Sequence, residues 1–409
     1  MEAPESTETS PTGLAHVATV SFLASRAAPS AQFWLALAGG IGLARTSVLN
    51  GLRIGYGASL AAMLQTIAVM GPARVNGPLT QALTAPLLGA LHARGSGVPL
   101  QVVACFALRI AHYVVITAAL VWIVFGGVDA YVGSYDTLTG WLGVLPEGER
   151  GALIMTLILN VSLAIFYSVT QVLVYRWALT EWPEDSPPAI APAAGANEDR
   201  GSARFDPRAI TLAAALAFGL LLSGTHWALL ASVSAFLALA WSVSRPDPEA
   251  LGLGLALTAV LAIGALVASL VAGLGIEEAL RRGSRAGLLV LVATWLRAAA
   301  GPAGLRETFR RMLWHIRWVP PAREASEILD GLDSGERLIA SGRTLVDALT
   351  PVEKMPLPVA AVVRDWVAAE AAGFRAGLAA RRARLAVAPR DGLLIALAVA
   401  PALTLFAHG

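Results

Sequence analysis

Long apolar runs separated by short polar breaks cover most of this chain. A membrane-spanning helix needs about 20 predominantly apolar residues, with a range of roughly 17–25. Runs of this kind lie near 33–49, 53–71, 79–93, 100–126, 151–177, 209–223, 226–243 and 251–274. A weaker, glycine-rich run at 130–145 carries Asp136 and is typical of a re-entrant segment or a loop. With the shorter runs near the C-terminus, the pattern predicts an all-α, polytopic helical membrane protein with about ten membrane segments.

Two stretches lack any apolar period. Residues 1–30 open with an acidic, Ser/Thr/Pro-rich sequence that has no basic start and no apolar core of a signal peptide, so they are predicted to be a disordered tail. Residues 180–207 mix Pro, Ala, Gly and charge, which predicts a flexible linker. These stretches bound an N-terminal membrane domain at 31–179 and a second set of membrane helices at 208–303.

The polar segment 304–390 interrupts the apolar pattern just before the last apolar run. In LRETFRRMLWHIRW (305–318), apolar residues recur at helical spacing, while Arg306, Arg310 and Arg311 take the other face. Such a basic amphipathic helix, edged by tryptophans, is expected along a membrane interface, and its arginines suit anionic lipids or a partner protein. The excess of arginine over acid places the segment in the cytoplasm. Residues 391–409 then form a final membrane helix.

One preceding run conflicts with this topology. If 286–300 spans the membrane, the basic turn at 281–285 lies outside, against the positive-inside rule. A short, tilted or interfacial helix over 286–300 removes the conflict, and we favour it.

Composition narrows the possible functions. Hydrophobic residues make up 56% of the chain and charged residues only 14%, against about 25% charged residues in soluble domains, so the protein belongs in a membrane. The single cysteine, Cys105, excludes an intramolecular disulfide. The chain has no phosphate-binding Gly-x4-Gly-Lys-Ser/Thr loop and no His-Glu-x-x-His zinc helix, and its six histidines are scattered. We therefore predict no enzyme activity, no catalytic residue, no metal site, no cofactor and no nucleic-acid partner.

Several motifs in the C-terminal half resemble a known family. They are SRAGLLVLVATWLR (284–297), PAGLRETFRRMLWHIRWVPP (302–321), EAAGFRAG (370–377) and the Arg390-Asp391 pair that opens the last run. This order of elements resembles the transmembrane T component of energy-coupling factor (ECF) transporters, the vitamin and metal-ion importers of bacterial cytoplasmic (inner) membranes. The resemblance implies that 304–390 holds coupling helices, which dock into grooves of separate ATPase subunits.

In that family each of two coupling helices ends in an Ala-Arg-Gly-like triplet whose arginine pairs with acids of the ATPase. The second triplet maps onto Ala371-Ala372-Gly373-Phe374, where alanine replaces the arginine and Arg375 is the nearest substitute. No triplet stands at the expected positions of the first, near 333–336 or 347–350. The resemblance implies that coupling to a partner falls to Arg306, Arg310, Arg311, Gly373, Phe374 and Arg375.

A few polar residues interrupt the apolar runs of the N-terminal domain. Arg109 and His112 lie one turn apart in 100–126, and Asn160 and Gln171 lie in 151–177. An ionisable side chain inside the bilayer is costly, so its default interpretation is functional, here a membrane cavity or substrate path. The alternatives are that Arg109 extends along the helix to the interface and that the amides form interhelical hydrogen bonds. With about six membrane segments, this domain is also compatible with a fused substrate-binding component.

The leading hypothesis is a membrane subunit of an ECF-like importer, which couples a separate ATPase to uptake of a small solute. The hypothesis also accommodates a separate substrate-binding membrane component as a second partner. The alternative is a non-transporting, T-like membrane scaffold that recruits another partner through its amphipathic helices, and the missing arginine triplets favour it. A stand-alone secondary transporter would need paired acids inside its spans, and the spans offer almost none beyond Asp136.

Overall fold

The structure, a computed structural model, describes residues 10–27, 31–72, 76–142, 146–183, 204–244, 248–332, 335–349, 356–374 and 387–404. Most of these residues are helical, and there is no strand among them. The helices are α1 (Pro11–Ala27), α2 (Gln32–Met70), α3 (Asn76–Ala93), α4 (Val98–Leu120), α5 (Val128–Leu142), α6 (Gly148–Thr180), α7 (Pro207–Ser223), α8 (Trp227–Ser244), α9 (Pro248–Val271), α10 (Ile276–His315), α11 (Ala322–Gly331), α12 (Gly335–Leu349), α13 (Pro356–Gly373) and α14 (Pro389–Val399). A π-helical turn, Val121–Phe125, follows α4.

Six of these helices are long and apolar enough to cross a membrane: α2, α4 extended to Ile123, α6, α8, α9 and α10. The prediction of a multi-pass helical membrane protein is confirmed in this coarse form, whereas the number ten is not. Two of the predicted segments are short, because α7 has 17 residues and α14 has 11. Within the weak run predicted at 130–145, residues 130–142 belong to helix α5 rather than to a loop, and residues 143–145 lie outside the described residues.

The prediction of a disordered N-terminal tail is wrong for residues 11–27. They form α1, whose Leu14, Val17 and Phe22 are fully buried. The helix packs on α2 where glycines leave room, since a Cβ on Gly39 would lie 2.7 Å from the Phe22 ring and one on Gly42 would lie 3.2 Å from the Leu14 carbonyl oxygen. The short apolar stretch of α1 is thus buried against α2. The absence of signal-peptide features in the sequence gives no information about such packing.

The described chain divides into two compact units that cut across the predicted boundary at 180–207. Unit 1 comprises residues up to Arg109, Ile165–Gly201 and Pro302–Ala383, and unit 2 comprises the rest. The predicted coupling segment therefore does not fold apart from the N-terminal helices. Buried side chains of α11, α12 and α13, such as Leu329, Leu345 and Val363, share one hydrophobic core with α1 and α2.

Two glycines break the long helices of the two units. At Gly51, φ is +83° and ψ is 169°, a conformation that glycine adopts without the penalty other residues meet. The chain turns so sharply there that a Cβ on Gly55 would lie 3.3 Å from the Ser47 Cα. At Gly301, φ is +67° and the backbone is not helical, so the apolar run 286–300 and the amphipathic run 305–315 are separate helical segments of α10.

Unit 2 is held together at the start of α7 and α14 by a buried carboxylate. Asp391, 1% exposed, accepts hydrogen bonds from the backbone N–H of Asp206 at 2.9 Å and of Ala388 at 2.6 Å. Asp206 in turn caps α7 by accepting from the Arg208 backbone N–H at 2.8 Å. A helix start leaves N–H groups without intrahelical partners, and Asp391 satisfies such groups in two segments that are distant in sequence.

Replacing Asp391 with alanine is expected to lower the free energy of unfolding by about 3 kcal/mol, because each hydrogen bond to a charged group contributes roughly 1.5–3 kcal/mol and two buried donors lose their acceptor. The measurement is the unfolding transition in mixed micelles. Asp391→Asn should lose less, since it keeps one carbonyl oxygen. Glu277→Ala is the matched control in the same unit, because its side chain is 67% exposed and its loss should change little. Equal effects of the Asp391→Ala and Glu277→Ala variants would contradict this account.

The basic turn at 281–285 is neutralised or bound within unit 2. Arg281 and Arg282 pair with Glu278, at 3.6 and 2.8 Å. Arg285 is buried and donates from Nε to the Leu221 carbonyl oxygen at 2.6 Å and from Nη2 to that of Leu222 at 3.2 Å, at the end of α7. These arginines form contacts within unit 2. Counting them as free positive charges therefore overestimates their effect on the membrane topology that the positive-inside rule predicts.

Candidate functional site

A cluster of polar side chains lies buried in unit 1, where α3, α4 and α6 meet. Its members are almost completely inaccessible to solvent: Gln81, Thr84, Cys105, Arg109, Ser168, Gln171 and Tyr175. Each comes from a run that is otherwise apolar. In a membrane-embedded helix such a grouping is unusual, since polar groups there must find partners within the protein.

Gln171 is the centre of this cluster. Its Oε1 accepts from Arg109 Nη2 at 2.5 Å and from the Cys105 thiol at 3.4 Å. Its Nε2 donates to the Thr84 hydroxyl at 2.8 Å, and that hydroxyl donates to the Thr80 carbonyl oxygen at 2.8 Å. Because arginine can only donate, the amide oxygen must face Arg109, and the orientation of the Gln171 side chain is fixed.

The guanidinium group of Arg109 stays inside the protein. Its residue is 3% exposed, and the charge lies 5.6 Å from the centre of the Tyr167 ring, a cation–π distance. The structure therefore places this side chain in the cluster rather than on the protein surface. One helical turn beyond Gln171, the Tyr175 hydroxyl donates to Gln81 Oε1 at 2.8 Å and ties α6 to α3.

The four residues predicted for a substrate path are distributed over the two units. Arg109 and Gln171 meet in unit 1, whereas His112 and Asn160 belong to unit 2. There the His112 ring lies 6.1 Å from that of Tyr113, and Asn160 Nδ2 donates to the Thr117 hydroxyl at 3.3 Å. Thr84 and Tyr175 were not predicted. For Thr84, the sequence offers only its spacing from Gln81, three residues away and so on the same face of α3.

Helix α2 holds α3 next to the cluster through hydrogen bonds to backbone carbonyls. The Tyr56 hydroxyl donates to the Leu83 oxygen at 3.0 Å, and the Ser59 hydroxyl donates to the Ala82 oxygen at 2.6 Å. These carbonyls lie between Gln81 and Thr84 in sequence. A shift of this turn of α2 must therefore either move that turn of α3 or break these bonds.

The same turn of α2 carries the contact with α11. A Cβ on Gly57 would lie 2.6 Å from the Glu324 Cβ and 3.2 Å from the Ala325 nitrogen, so the two helices touch backbone to backbone. Arg53, one turn earlier, pairs with Glu324 at 2.6 Å. Two turns of α2, from Arg53 to Ser59, thus contact the amphipathic segment on one side and α3 on the other.

Three of the arginines predicted to couple to a partner, all in α10, are engaged within the chain. Arg306 is buried and donates to the carbonyl oxygens of Leu332, at 2.8 Å, and Asp330, at 3.3 Å. Arg310 and Arg311 both pair with Glu307 at 2.8 Å. The alternation of apolar and basic residues predicted the helix correctly. The acceptors for Arg306 could not be predicted in this way, because they are backbone carbonyl groups 24 and 26 positions away.

The predicted second coupling motif lies against α1. Phe374 packs on the His16 ring with the ring centres 4.7 Å apart, and His16 Nε2 lies 3.3 Å from Glu370 Oε1. A Cβ on Gly13 would lie 3.2 Å from the Ala371 carbonyl oxygen. Gly373 ends α13 and is partly exposed. Arg375 lies outside the described residues.

The described residues contain no group of three or more His, Cys, Asp or Glu side chains that could hold a metal ion. Comparison with family models, with curated proteins and with solved structures finds no match to this chain.

Proposed function

We propose that this chain is a membrane subunit of an ECF-like importer of bacterial inner membranes, in which the amphipathic helices α10–α13 couple a separate ATPase to uptake of a small solute. The observation that carries this proposal is the direct packing of α11 on a membrane helix at Gly57, on the turn of α2 that also binds α3. A displacement of α11 is transmitted to the buried polar cluster through packed helices, and no flexible linker separates α11 from the cluster.

The route has three contacts. Glu324 and Ala325 of α11 lie against Gly57. Tyr56 and Ser59, on either side of that glycine, bind the carbonyls of Leu83 and Ala82. Gln81 and Thr84 flank those carbonyls and bind Tyr175 and Gln171 of α6. Close packing transmits displacement because interiors are dense and poorly compressible. In this proposal the cluster with Arg109 and Gln171 lines the solute path and rearranges when α11 moves.

A second candidate is a T-like scaffold that does not transport. The departures of the coupling motifs from the family pattern favour it. Alanine stands at 372 in place of the family's arginine, and Arg306 is bound to backbone carbonyls rather than presented outward. An arginine that pairs with a partner's acid is not replaced by alanine without leaving that acid unpaired. A scaffold would use the same amphipathic helices to recruit a partner that hydrolyses no nucleotide.

Co-purification separates these candidates. The full chain, tagged and expressed at its native level, is extracted in mild detergent, and the recovered proteins are identified. The importer proposal predicts recovery of a nucleotide-binding subunit, and ATP-dependent solute uptake when the complex is reconstituted in vesicles. Recovery of a partner without nucleotide-binding motifs, with no ATP-dependent uptake, would overturn the importer in favour of the scaffold.

A matched pair of variants tests the route itself. Glu324→Arg places a cation beside Arg53 at the α2–α11 contact and should reduce uptake at least tenfold while leaving the partner bound. Glu327→Arg makes the same charge change one turn later on α11, where the side chain is 58% exposed, and should leave uptake within twofold. If both variants reduce uptake equally, the contact at Arg53 does not transmit the motion.

A further inference from the structure

The end of α10 and the turn that follows it form an exposed, aromatic and basic corner in unit 1. Residues 314–320 are all exposed. Trp318 is 79% exposed, Met312 50% and Trp314 48%, and Ile316 and Val319 are also among the exposed large hydrophobic residues. Leu313, in contrast, is 2% exposed and anchors the helix in the core. Five large apolar side chains within eight residues are therefore exposed on a segment that the buried Leu313 anchors to the core.

The charge of this corner has one sign. From Thr308 to Ala322 the sequence contains no Asp or Glu, but it contains Arg310, Arg311, Arg317 and His315. The arginines nearest the core are occupied, since Arg310 and Arg311 both bind Glu307. Arg317 points elsewhere, with its guanidinium 4.6 Å from the centre of the Trp314 ring. The aromatic face and the cation thus lie side by side at the outer edge.

Several backbone groups of the corner form local hydrogen bonds. Beyond α10, Val319 N donates to the Ile316 oxygen at 2.9 Å and Ala322 N donates to the Val319 oxygen at 2.9 Å. His315 Nδ1 lies 2.7 Å from the Arg311 oxygen. Placing a non-helical turn in a poorly hydrated layer is costly when its backbone groups are unpaired, and these internal bonds reduce that cost.

We propose that this corner, residues 312–319, is a binding site for anionic phospholipids, with Arg317 and His315 at the lipid headgroups and Trp314, Ile316 and Trp318 among the upper acyl chains. Tryptophan prefers this layer of a bilayer because its ring is apolar and its N–H is polar. A basic residue near an anionic membrane surface is attracted to the lipid headgroups. The site is thus not the basic face of 305–318 but its C-terminal end, because Arg306 and Arg310 are used inside the protein.

The single, buried cysteine makes a direct test possible. Val319→Cys, labelled with an environment-sensitive fluorophore, reports on the corner, and the labelled wild type measures the background from Cys105. The protein is placed in nanodiscs of pure phosphatidylcholine or of phosphatidylcholine with one third phosphatidylglycerol. We expect a blue-shifted emission and at least threefold lower quenching by aqueous iodide in the phosphatidylglycerol discs. Inorganic phosphate added to phosphatidylcholine discs should not reproduce the change, since the acyl chains are part of the ligand.

Charge reversals identify the residues responsible. Arg317→Glu should abolish the difference between the two kinds of nanodisc. Arg323→Glu is the matched control, because Arg323 lies beyond the corner and already pairs with Glu327 at 3.0 Å, and it should keep the difference. Equal iodide quenching in both lipids, or equal loss in the Arg317→Glu and Arg323→Glu variants, would overturn the proposal. A change produced by phosphate alone would show a simple anion site and would also overturn it. None of these outcomes depends on whether the chain couples an ATPase.

Discussion

Replacing Gln171 with leucine is expected to lower the free energy of unfolding by about 3 kcal/mol, because the substitution removes the acceptor of a buried guanidinium and a donor to Thr84. Truncating one partner of a buried charged hydrogen bond costs roughly 3–5 kcal/mol, and the cation–π contact of Arg109 with Tyr167 remains to offset part of it. The measurement is the unfolding transition of the full chain in mixed micelles, followed by circular dichroism.

A double variant separates this cause from loss of packing. Arg109→Met with Gln171→Leu should be less destabilised than Gln171→Leu alone, since no buried charge is then left without Gln171 and apolar groups of similar volume fill the space. Gln171→Glu should remain near the wild type, because the carboxylate accepts from Arg109 in the same place. If the double variant is as unstable as the sum of its two single variants, the bond from Arg109 to Gln171 does not organise the cluster.

The sequence revealed this cluster only in part, for a reason that lies in membrane chemistry. Arg109 and Gln171 stand out because polar residues are rare in apolar runs. Thr84 and Tyr175 do not, since hydroxyl side chains are common in membrane helices and often bond to their own backbone, as Thr66 does with the Ala62 oxygen at 2.7 Å. His112, one turn from Arg109, carries the same sequence signal but falls in the other unit. The spacing of residues along one helix predicts which of them share a face. It does not predict which residues of a neighbouring helix they contact.

The organisation of the chain was the harder part to predict. The apolar runs predicted helices, and most of them formed, because period and length are local properties. The division at 180–207 did not follow the compact units, since a proline-rich linker marks a break in the chain and not in the packing. Helix α1 was missed because its partner surface, the glycines of α2, is small and lacks a distinctive pattern. The amphipathic helices were recognised from their period, while their packing on α1 and α2 depends on non-local contacts such as Gly57 with Glu324.

Replacing Gly57 with leucine is expected to have the largest effect on the α2–α11 contact. Even a Cβ at this position would lie 2.6 Å from the Glu324 Cβ and 3.2 Å from a backbone nitrogen, so the helices must separate to admit the side chain. Overpacking of this kind costs roughly 1–3 kcal/mol in stability. Transport should fall further than stability does, at least twentyfold, because the turn that binds the Leu83 and Ala82 carbonyls is displaced from α11. ATP-dependent uptake in vesicles, with unfolding measured on the same preparation, is the test.

The matched control is Gly264→Leu, the same substitution in a membrane helix at a position where a Cβ would meet nothing within 4 Å. It should leave both uptake and unfolding within error of the wild type. Gly57→Ala should fall between the two, since it adds only the Cβ. The decisive comparison is with Glu324→Ala, which removes the atoms beyond the contact and the pairing with Arg53 but leaves the helices able to touch. If Glu324→Ala reduces uptake as much as Gly57→Leu, the ion pair transmits the motion. If only Gly57→Leu does, the transmission depends on the close approach of the two backbones, which is what the packing of α11 on this glycine leads us to expect.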